Sequence, residues 1–418
     1  MTRRKTAAIG GLLAAALAHA AFAAEGPIPR HVPHLDHVFL IVMENHGYSQ
    51  IVDNENAPFI NALAKTANVA TNYFAIAHPS LTNYLELVGG SNFGVLTDNS
   101  PDWFNGSCTP NLASGKVATD NPPSPIVCPI SGVGTDAATV AVDTTNETSG
   151  APGENNIDGV TSIAAAGNTA GKTIGDQLAA ARLSWKSYQE NLPFHGAANV
   201  TYSDGIFTDK TNFASLSGQL NPPLSSSALV KLYAAKHNPF VYFDSVQKGS
   251  NPNNSLANVV GFDGLKGLYA DLRSGRVPTL SFIVPNQCND QHGRDNGGPT
   301  CAFDPKTDGS QSGLNPALIQ RGDDTVQRIV RAIWDSPAWK AGDNAIVVLW
   351  DENDYSTAPN VNQVLVIVDT NYGVHGLQSP VLYNHFSLLK TLEGGFGLRC
   401  LNHACDGDVA VMSDLFSR

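Results

Sequence analysis

The stretch HVFLIVM at residues 37–43 decides the fold of this chain. It is a nearly continuous apolar run of strand-forming residues, which is typical of a β-strand covered on both faces. Three further runs rich in Ile and Val predict strands at 279–284, 345–350 and 363–368. Segments with helical spacing lie between several of these runs. Because strands alternate with helices, the sequence predicts an α/β fold with a mostly parallel central sheet and helices on both faces.

Shorter patterns complete the order of elements around these strands. Apolar residues at helical spacing predict helices, and short runs of strand-forming residues predict strands. The predicted helices lie at 58–67, 81–88, 173–181, 323–334 and 386–396, and two further strands at 184–188 and 238–244.

The segment from about 91 to 170 differs in composition from the rest of the chain. It is dense in Asn, Gly, Pro, Ser and Thr and poor in periodic apolar patterning, so we interpret it as a loop-rich excursion. Length alone allows two or three domains in 418 residues, but large α/β enzymes often form one unit. We therefore predict a single domain at 24–418.

The first 23 residues have the pattern of a secretory signal peptide. Basic residues at 3–5 precede an apolar stretch at 7–18, and the residues Ala21-Phe22-Ala23 fit the small-x-small cleavage rule. The alternative is an uncleaved membrane anchor. No later apolar run reaches about 18 residues, so the sequence predicts no integral membrane span and a periplasmic or secreted protein.

The acidic balance of the chain limits the class of partner. A formal net charge of −12 argues against nucleic acid or an anionic membrane as a simple electrostatic partner. It permits an anionic substrate, because a metal ion or a few histidines can reverse the sign of the local charge.

Six cysteines in an exported chain favour disulfide bonds. Each successive pair brackets one loop region, which favours the local pairings Cys108–Cys128, Cys288–Cys301 and Cys400–Cys405. The competing hypothesis is a zinc site, which the absence of a CxxC motif from the sequence weakens.

Polar side chains follow three predicted strands, at the edge of the sheet where α/β folds bind ligands. They are Glu44, Asn45 and His46 after the first strand, Asn286, Asp290 and His292 after the second, and Asp351, Glu352, Asn353 and Asp354 after the third. Carboxylates beside apolar strands repel one another unless a cation neutralises them. Carboxylate and amide oxygens suit Ca²⁺, Mg²⁺ or Mn²⁺, whereas added histidine favours Zn²⁺. We therefore predict a divalent metal site, and the alternative for any single residue is a helix cap or a surface ion pair.

A serine lies at the start of a predicted helix in the segment HPSLTNY, residues 78–84. A hydroxyl at this position faces backbone N–H groups and the positive end of the helix dipole, which together favour phosphate binding. Ser80 is therefore a candidate nucleophile, and the alternative is a helix N-cap.

Five motifs occur in an order that resembles one known family: ENHGYSQI, HPSLTNYLELVGG, VPNQCNDQHG, WDENDYS and YNHFSLLKTLEGGFGL. Over about residues 36–400 the chain is similar to the bacterial phosphoesterases that include secreted acid phosphatases, phosphatidylinositol-3-phosphate phosphatases and phospholipases C. The resemblance implies an alkaline-phosphatase-like fold and a phosphoric ester hydrolase.

The resemblance also implies roles for individual residues. The expected metal ligands are Glu44, Asn45, Asp351 and Glu352. The expected catalytic residues are Ser80 as the nucleophile, with Asn83 and His292 at the phosphoryl oxygens. Further expected phosphate contacts are His78, Asp290 and His385, with His375 as the alternative to the last.

Two positions differ from alkaline phosphatases themselves. Asp351-Glu352 stands where those enzymes have an Asp-His pair, and residue 286 is Asn where they have Asp. Both differences weaken the case for a second metal with histidine-rich ligation. The resemblance therefore implies one divalent ion, whose identity stays open among Ca²⁺, Mg²⁺, Mn²⁺ and Zn²⁺.

The leading hypothesis is metal-dependent hydrolysis of phosphate monoesters, of acid-phosphatase or phosphoinositide-phosphatase type, through a phosphoserine intermediate. The partner would be a small phosphorylated substrate or a phosphoinositide or phospholipid headgroup. The alternatives are a phospholipase C acting on phosphodiesters and a non-catalytic binding protein on the same fold. His237 is interpreted as a structural residue, and Asp323 as a cap of the helix that it opens.

Overall fold

The computed structural model describes residues 25–93, 95, 98, 100–101, 126–127, 130, 171–192, 232–294, 300–301, 315–354 and 362–418. The predicted signal peptide at 1–23, most of the predicted excursion at 91–170 and the predicted Cys108–Cys128 bond lie outside these residues. The predicted bonds Cys288–Cys301 and Cys400–Cys405 are both present. No helix among the described residues is long and apolar enough to cross a membrane.

The described part of the chain contains strands and helices in alternation. The strands are β1 (His37–Met43), β2 (Asn68–Ala70), β3 (Tyr73–Phe74), β4 (Ser100–Pro101), β5 (Ile126–Val127), β6 (Trp185–Gln189), β7 (Val259–Gly261), β8 (Leu280–Val284), β9 (Asn344–Trp350), β10 (Val366–Thr370), β11 (Gln378–Ser379) and β12 (Tyr383–Asn384). The α-helices are α1 (Tyr48–Ile51), α2 (Pro58–Thr66), α3 (Ser80–Gly89), α4 (Ile174–Ala180), α5 (Asp244–Lys248), α6 (Leu268–Ser274), α7 (Pro316–Asp335) and α8 (His385–Gly395).

An eight-stranded sheet forms the centre of the molecule, in the order β11-β2-β10-β9-β1-β8-β6-β7. Strand β1 runs parallel to both of its neighbours, β9 and β8, and the parallel part continues through β6 to β7. Antiparallel pairing occurs where β10 meets β9 and β2. The predicted α/β fold with a mostly parallel sheet is therefore confirmed.

Both faces of the central strands are covered. Every residue of β8 and β9 is buried, as are the six residues of β1 that follow His37. Helix α7 contacts α2 and α6, while α3 contacts α4 and α8. A strand buried on both faces has no solvent-facing side, and β1 and β9 are accordingly apolar at every position after the first.

The strand predicted at 238–244 is wrong. Residues Pro239–Tyr242 form a 3-10 helix and are followed by α5. Pro239 has no N–H group to donate to a strand ladder. The apolar side chains are buried by aromatic packing instead: the Phe240 ring stacks on Trp185 at 4.3 Å between centroids and meets the edge of Phe282. The apolar run thus reflects burial rather than strand pairing.

The interpretation of Asp323 as a cap of its own helix is also wrong. Helix α7 begins at Pro316, so Asp323 lies inside it. Its carboxylate accepts hydrogen bonds from Phe59 N at 3.1 Å and Ile60 N at 2.7 Å, which are among the first amides of α2. Asp323 therefore caps a neighbouring helix that has no side-chain cap from its own N-cap residue, Ala57.

Parallel strands bring their carboxyl ends to one edge of the sheet. Strands β1, β8 and β9 end at Met43, Val284 and Trp350. The amide of Asp351 donates to the carbonyl of Met43 at 3.0 Å, and the amide of Glu44 donates to the carbonyl of Asp290 at 2.8 Å. The residues that follow the three strands are thereby joined at this edge.

Candidate active site

Ser80 lies at the first position of α3, with its side chain pointing at two acidic groups. Pro79 is the N-cap residue and supplies no side-chain cap, so the alternative interpretation of Ser80 as the N-cap is wrong. The hydroxyl oxygen lies 3.1 Å from Glu44 Oε2 and 3.1 Å from Glu352 Oε1. Ser80 is 1% exposed, so its hydroxyl hydrogen has carboxylate acceptors within reach and little access to bulk water.

Three buried carboxyl groups belong to this site: Glu44 and Glu352, which contact the serine, and Asp351. Burial raises the pKa of Glu44 well above its ordinary value, and the charge of Asp351 raises it further. Burial and the charge of Glu352 likewise raise the pKa of Asp351. Asp351 Oδ2 is buried without a hydrogen-bond partner among the described residues. Clustered buried carboxylates with an unsatisfied oxygen fit a divalent cation, which would offset both the repulsion and the loss of hydration.

Asn45 connects the ends of β1 and β9. Its backbone has φ 53°, in the left-handed region that Asn tolerates better than most residues. Its N–H donates to Asp351 Oδ1 at 3.3 Å. This contact orients the Asp351 carboxylate through the main chain, and the predicted role of the Asn45 side chain as a metal ligand stays a prediction.

His78 and Asn83 both contact Glu352. His78 Nδ1 lies 3.0 Å from Glu352 Oε2, and Asn83 Nδ2 donates to the same oxygen at 2.9 Å. Asn83 also donates to Ala77 O and accepts from the amides of Ile76 and Ala77. Both amide hydrogens of Asn83 are thus engaged, which suits a group that orients Glu352. Its predicted contact with a phosphoryl oxygen stays a prediction.

His237, which the sequence analysis interprets as a structural residue, lies inside the site. Its Nε2 is 3.0 Å from Glu44 Oε1 and its Nδ1 is 3.2 Å from Asp290 Oδ2. The ring stacks on Tyr84, with centroids 5.3 Å apart and planes within 10°. Burial lowers the pKa of His237 well below its ordinary value. The contact of His237 with Glu44 is missed at the level of sequence because a strand is predicted directly after His237. Pro239 argues against that strand, since proline cannot donate to a strand ladder.

Asp290 and His292 lie in the segment that follows β8 and belong to the same site as His237. Asp290 Oδ1 accepts from the backbone amide of His292 at 2.7 Å. His292 Nδ1 lies 2.8 Å from the carbonyl of Gly293, and Nε2 lies 3.0 Å from Lys236 Nζ. Burial and the charge of Lys236 lower the pKa of His292 to about 3. Direct contact of Asp290 and His292 with phosphate stays a prediction.

His385 lies behind Asp351 rather than beside the carboxylates. It is the first residue of α8, and its Nε2 is 2.7 Å from the carbonyl oxygen of Asp351. Its Nδ1 is 3.0 Å from the hydroxyl of Tyr73. Both ring nitrogens are therefore used in holding the main chain at Asp351. The predicted phosphate contact of His385 stays a prediction, and the alternative residue, His375, is exposed.

Two sets of side chains in the described part of the chain are candidates for holding a cation. The first is the oxygen set around Ser80, defined as Glu44 and Glu352, which contact the serine, together with Asp351, whose pKa is raised by the charge of Glu352. In the second, ligand atoms of Glu44, His237 and His292 lie within 4.8 Å of one another. Glu44 belongs to both sets, with Oε2 toward Ser80 and Oε1 toward His237.

A comparison with protein families decides where this site belongs. The model of the Phosphoesterase family matches residues 49–399, which include Ser80, Asp351 and Glu352. This chain belongs to the Phosphoesterase family. The predicted family and the predicted enzyme class, a phosphoric ester hydrolase, are thereby confirmed.

Individual proteins are similar to this chain at low identity. A phosphatidylinositol-3-phosphatase of Mycobacterium tuberculosis is 26% identical over 94% of this chain and 89% of its own length. An acid phosphatase of Aspergillus fumigatus is 23% identical over 87% of this chain, which spans just over half, 55%, of that protein. Among solved structures, a protein in the alkaline phosphatase superfamily from Vibrio parahaemolyticus aligns with a TM-score of 0.44 at 11% identity, covering 91% of this chain and 71% of the other.

Proposed function

We propose that this phosphoesterase hydrolyses phosphate monoesters with the help of a divalent metal ion and through a phosphoserine at Ser80. The observation that carries the proposal is the Ser80 hydroxyl, buried at the start of α3 and 3.1 Å from both Glu44 and Glu352. The names of the related acid phosphatases and of the phosphatidylinositol-3-phosphatase support a monoester as the substrate class.

The carboxylates of Glu44, Asp351 and Glu352 would hold the ion. When bound, it supplies positive charge that offsets these carboxylates and favours the ionised serine. The hydroxyl hydrogen of Ser80 passes to a neighbouring carboxylate as Oγ forms a bond to phosphorus, and the bond from phosphorus to the leaving oxygen breaks. Water then attacks phosphorus, the bond to Ser80 breaks, and Oγ regains a hydrogen as inorganic phosphate leaves.

His78 and His237 are the histidines that contact these carboxylates, and we propose that His78 protonates the leaving oxygen. Asp290 fixes the orientation of the His237 ring through Nδ1, which leaves Nε2 directed toward Glu44. A carboxylate behind a histidine sets both its tautomer and its basicity. We propose a small phosphorylated molecule or a phosphoinositide headgroup as the substrate and the periplasm or the medium as the place of action.

A substrate panel with and without chelator tests this function. We expect hydrolysis of p-nitrophenyl phosphate that is lost after exhaustive chelation and restored by Ca²⁺, Mg²⁺, Mn²⁺ or Zn²⁺. Glu44→Gln should lose metal and activity together, whereas Glu55→Gln, an exposed acid on the next loop, should change neither. Full activity after chelation would contradict the metal. Turnover of p-nitrophenylphosphorylcholine alone would favour a phospholipase C, and turnover of neither ester would favour a binding protein.

A further inference from the structure

A lysine ammonium group lies within the buried part of the site. Lys236 Nζ is 2.8 Å from Asp98 Oδ2 and 3.0 Å from His292 Nε2, and its side chain is 8% exposed. Asp98 also accepts a hydrogen bond from the amide of Leu81 at 3.1 Å. The ammonium group is therefore tied to the first turn of α3, next to Ser80, and to the segment that follows β8.

The hydrogen bonds of His292 show which of its nitrogens is available. A carbonyl oxygen only accepts, so the 2.8 Å contact with Gly293 O places the ring hydrogen on Nδ1. An uncharged ring then has only a lone pair at Nε2, and this lone pair accepts from the ammonium group of Lys236 at 3.0 Å. Both nitrogens of His292 are engaged, and neither is open to a metal ion while Lys236 remains in place.

The positive charge of Lys236 acts on all four buried carboxyl groups of the site. It opposes the rise in pKa that burial imposes on four carboxyl groups: Glu44, Asp290, Asp351 and Glu352. A buried cation beside buried carboxylates offsets part of their mutual repulsion. A metal ion at Glu44, His237 and His292 would supply the same positive charge.

We propose that Lys236 is a built-in cation of this active site, which takes the place of a second metal ion beside Glu44, His237 and His292. The proposal rests on the proposed metal-dependent function and deepens it, because it sets the number of metal ions at one. The single ion then belongs to the oxygen set around Ser80. Lys236 also keeps a positive charge near the position where the phosphoryl group must approach Ser80.

Metal stoichiometry tests the inference without reference to activity. The purified protein is stripped with chelator and titrated with Zn²⁺, because a Glu-His-His set suits that ion. Bound metal is counted by equilibrium dialysis and calorimetry. We expect one equivalent for the wild type and for Lys236→Arg, and two for Lys236→Met, which removes the charge at similar volume. The double variant Lys236→Met/His292→Ala should return to one equivalent, which locates the second ion.

Kinetics provide a second readout. Removal of one preorganised charge at a reacting phosphoryl group is expected to lower kcat/KM by about 10²-fold. Ethylammonium should restore part of the loss in Lys236→Met, and Lys266→Met, at an exposed lysine, should behave as the wild type.

The possible outcomes separate this inference from the proposed function. A wild type that binds no Zn²⁺ and needs no metal contradicts the proposed function itself. A wild type that binds two equivalents overturns the inference and leaves the function standing, even if Lys236→Met fails to fold. One equivalent in a folded Lys236→Met, as judged by its circular dichroism, also overturns the inference.

Discussion

The hydroxyl of Tyr73 is expected to control metal affinity even though it is directed at a histidine behind the site. Tyr73 OH is 3.0 Å from His385 Nδ1, and His385 Nε2 is 2.7 Å from the carbonyl of Asp351. Tyr73, His385 and Asp351 are all fully buried or nearly so. Tyr73→Phe leaves one buried acceptor unsatisfied, which costs roughly 1–3 kcal/mol of unfolding free energy. Loss of such outer support typically weakens metal binding about 10–100-fold.

His385→Ala leaves two buried partners without a hydrogen bond and should cost more. Because both residues act through one chain of contacts, the double variant should cost less than the sum of the single variants, by about 0.5–1.5 kcal/mol. Urea unfolding measures the free energies, and competition with a fluorescent chelator measures metal affinity. Tyr372→Phe is a matched control, because its hydroxyl has no hydrogen-bond partner among the described residues.

One pattern of results would show that His385 does not act by supporting the main chain at Asp351. If Tyr73→Phe keeps the stability and metal affinity of the wild type while His385→Ala lowers kcat alone, then His385 acts on the substrate. That result would support the contact with phosphate that the sequence predicts for His385.

Two further predictions concern stability away from the reacting atoms. Asp323→Ala removes the acceptor for the amides of Phe59 and Ile60 and should lower the unfolding free energy by about 1–2 kcal/mol in urea; an equal loss in the exposed neighbour Asp324→Ala would argue against the cap. Glu393 is fully buried, and burial raises its pKa well above the ordinary value of 4.5. Its contribution to stability is therefore complete below about pH 4.5 and is lost as the pH rises through the folded-state pKa. Glu393→Gln keeps the acceptor for Leu401 N, so its Tm should rise relative to the wild type as the pH increases above 4.5, and a constant difference would contradict the reasoning.

The sequence predicted the parts of the site that follow directly from strand patterns. Strand β1 follows from a run of six apolar residues after His37, and parallel pairing then brings Glu44 and Asp351 to one edge. Those predictions depend on local periodicity and on a general property of parallel sheets. The apolar spacing after Ser80 likewise predicts a helix start, and α3 begins at Ser80.

The remaining parts of the site depend on contacts between segments that are distant in the chain. His237 meets Glu44 across 193 residues only because an aromatic 3-10 turn packs against β6 and β8. Asp323 caps a helix that lies 263 residues away from it in the chain. The side of Asp351 on which His385 lies depends on the direction in which α8 leaves β12. No local pattern encodes these relations.

In the proposed reaction, Ser80 carries the phosphoryl group during turnover. The most direct measurement is rapid acid quenching of the enzyme during hydrolysis of a phosphate monoester, followed by mass spectrometry of the peptide that contains Ser80. We expect one phosphate on Ser80 that disappears in a chase without substrate, and no turnover in Ser80→Ala. An unmodified Ser80 peptide throughout steady-state turnover, together with undiminished activity in Ser80→Ala, would contradict this proposal.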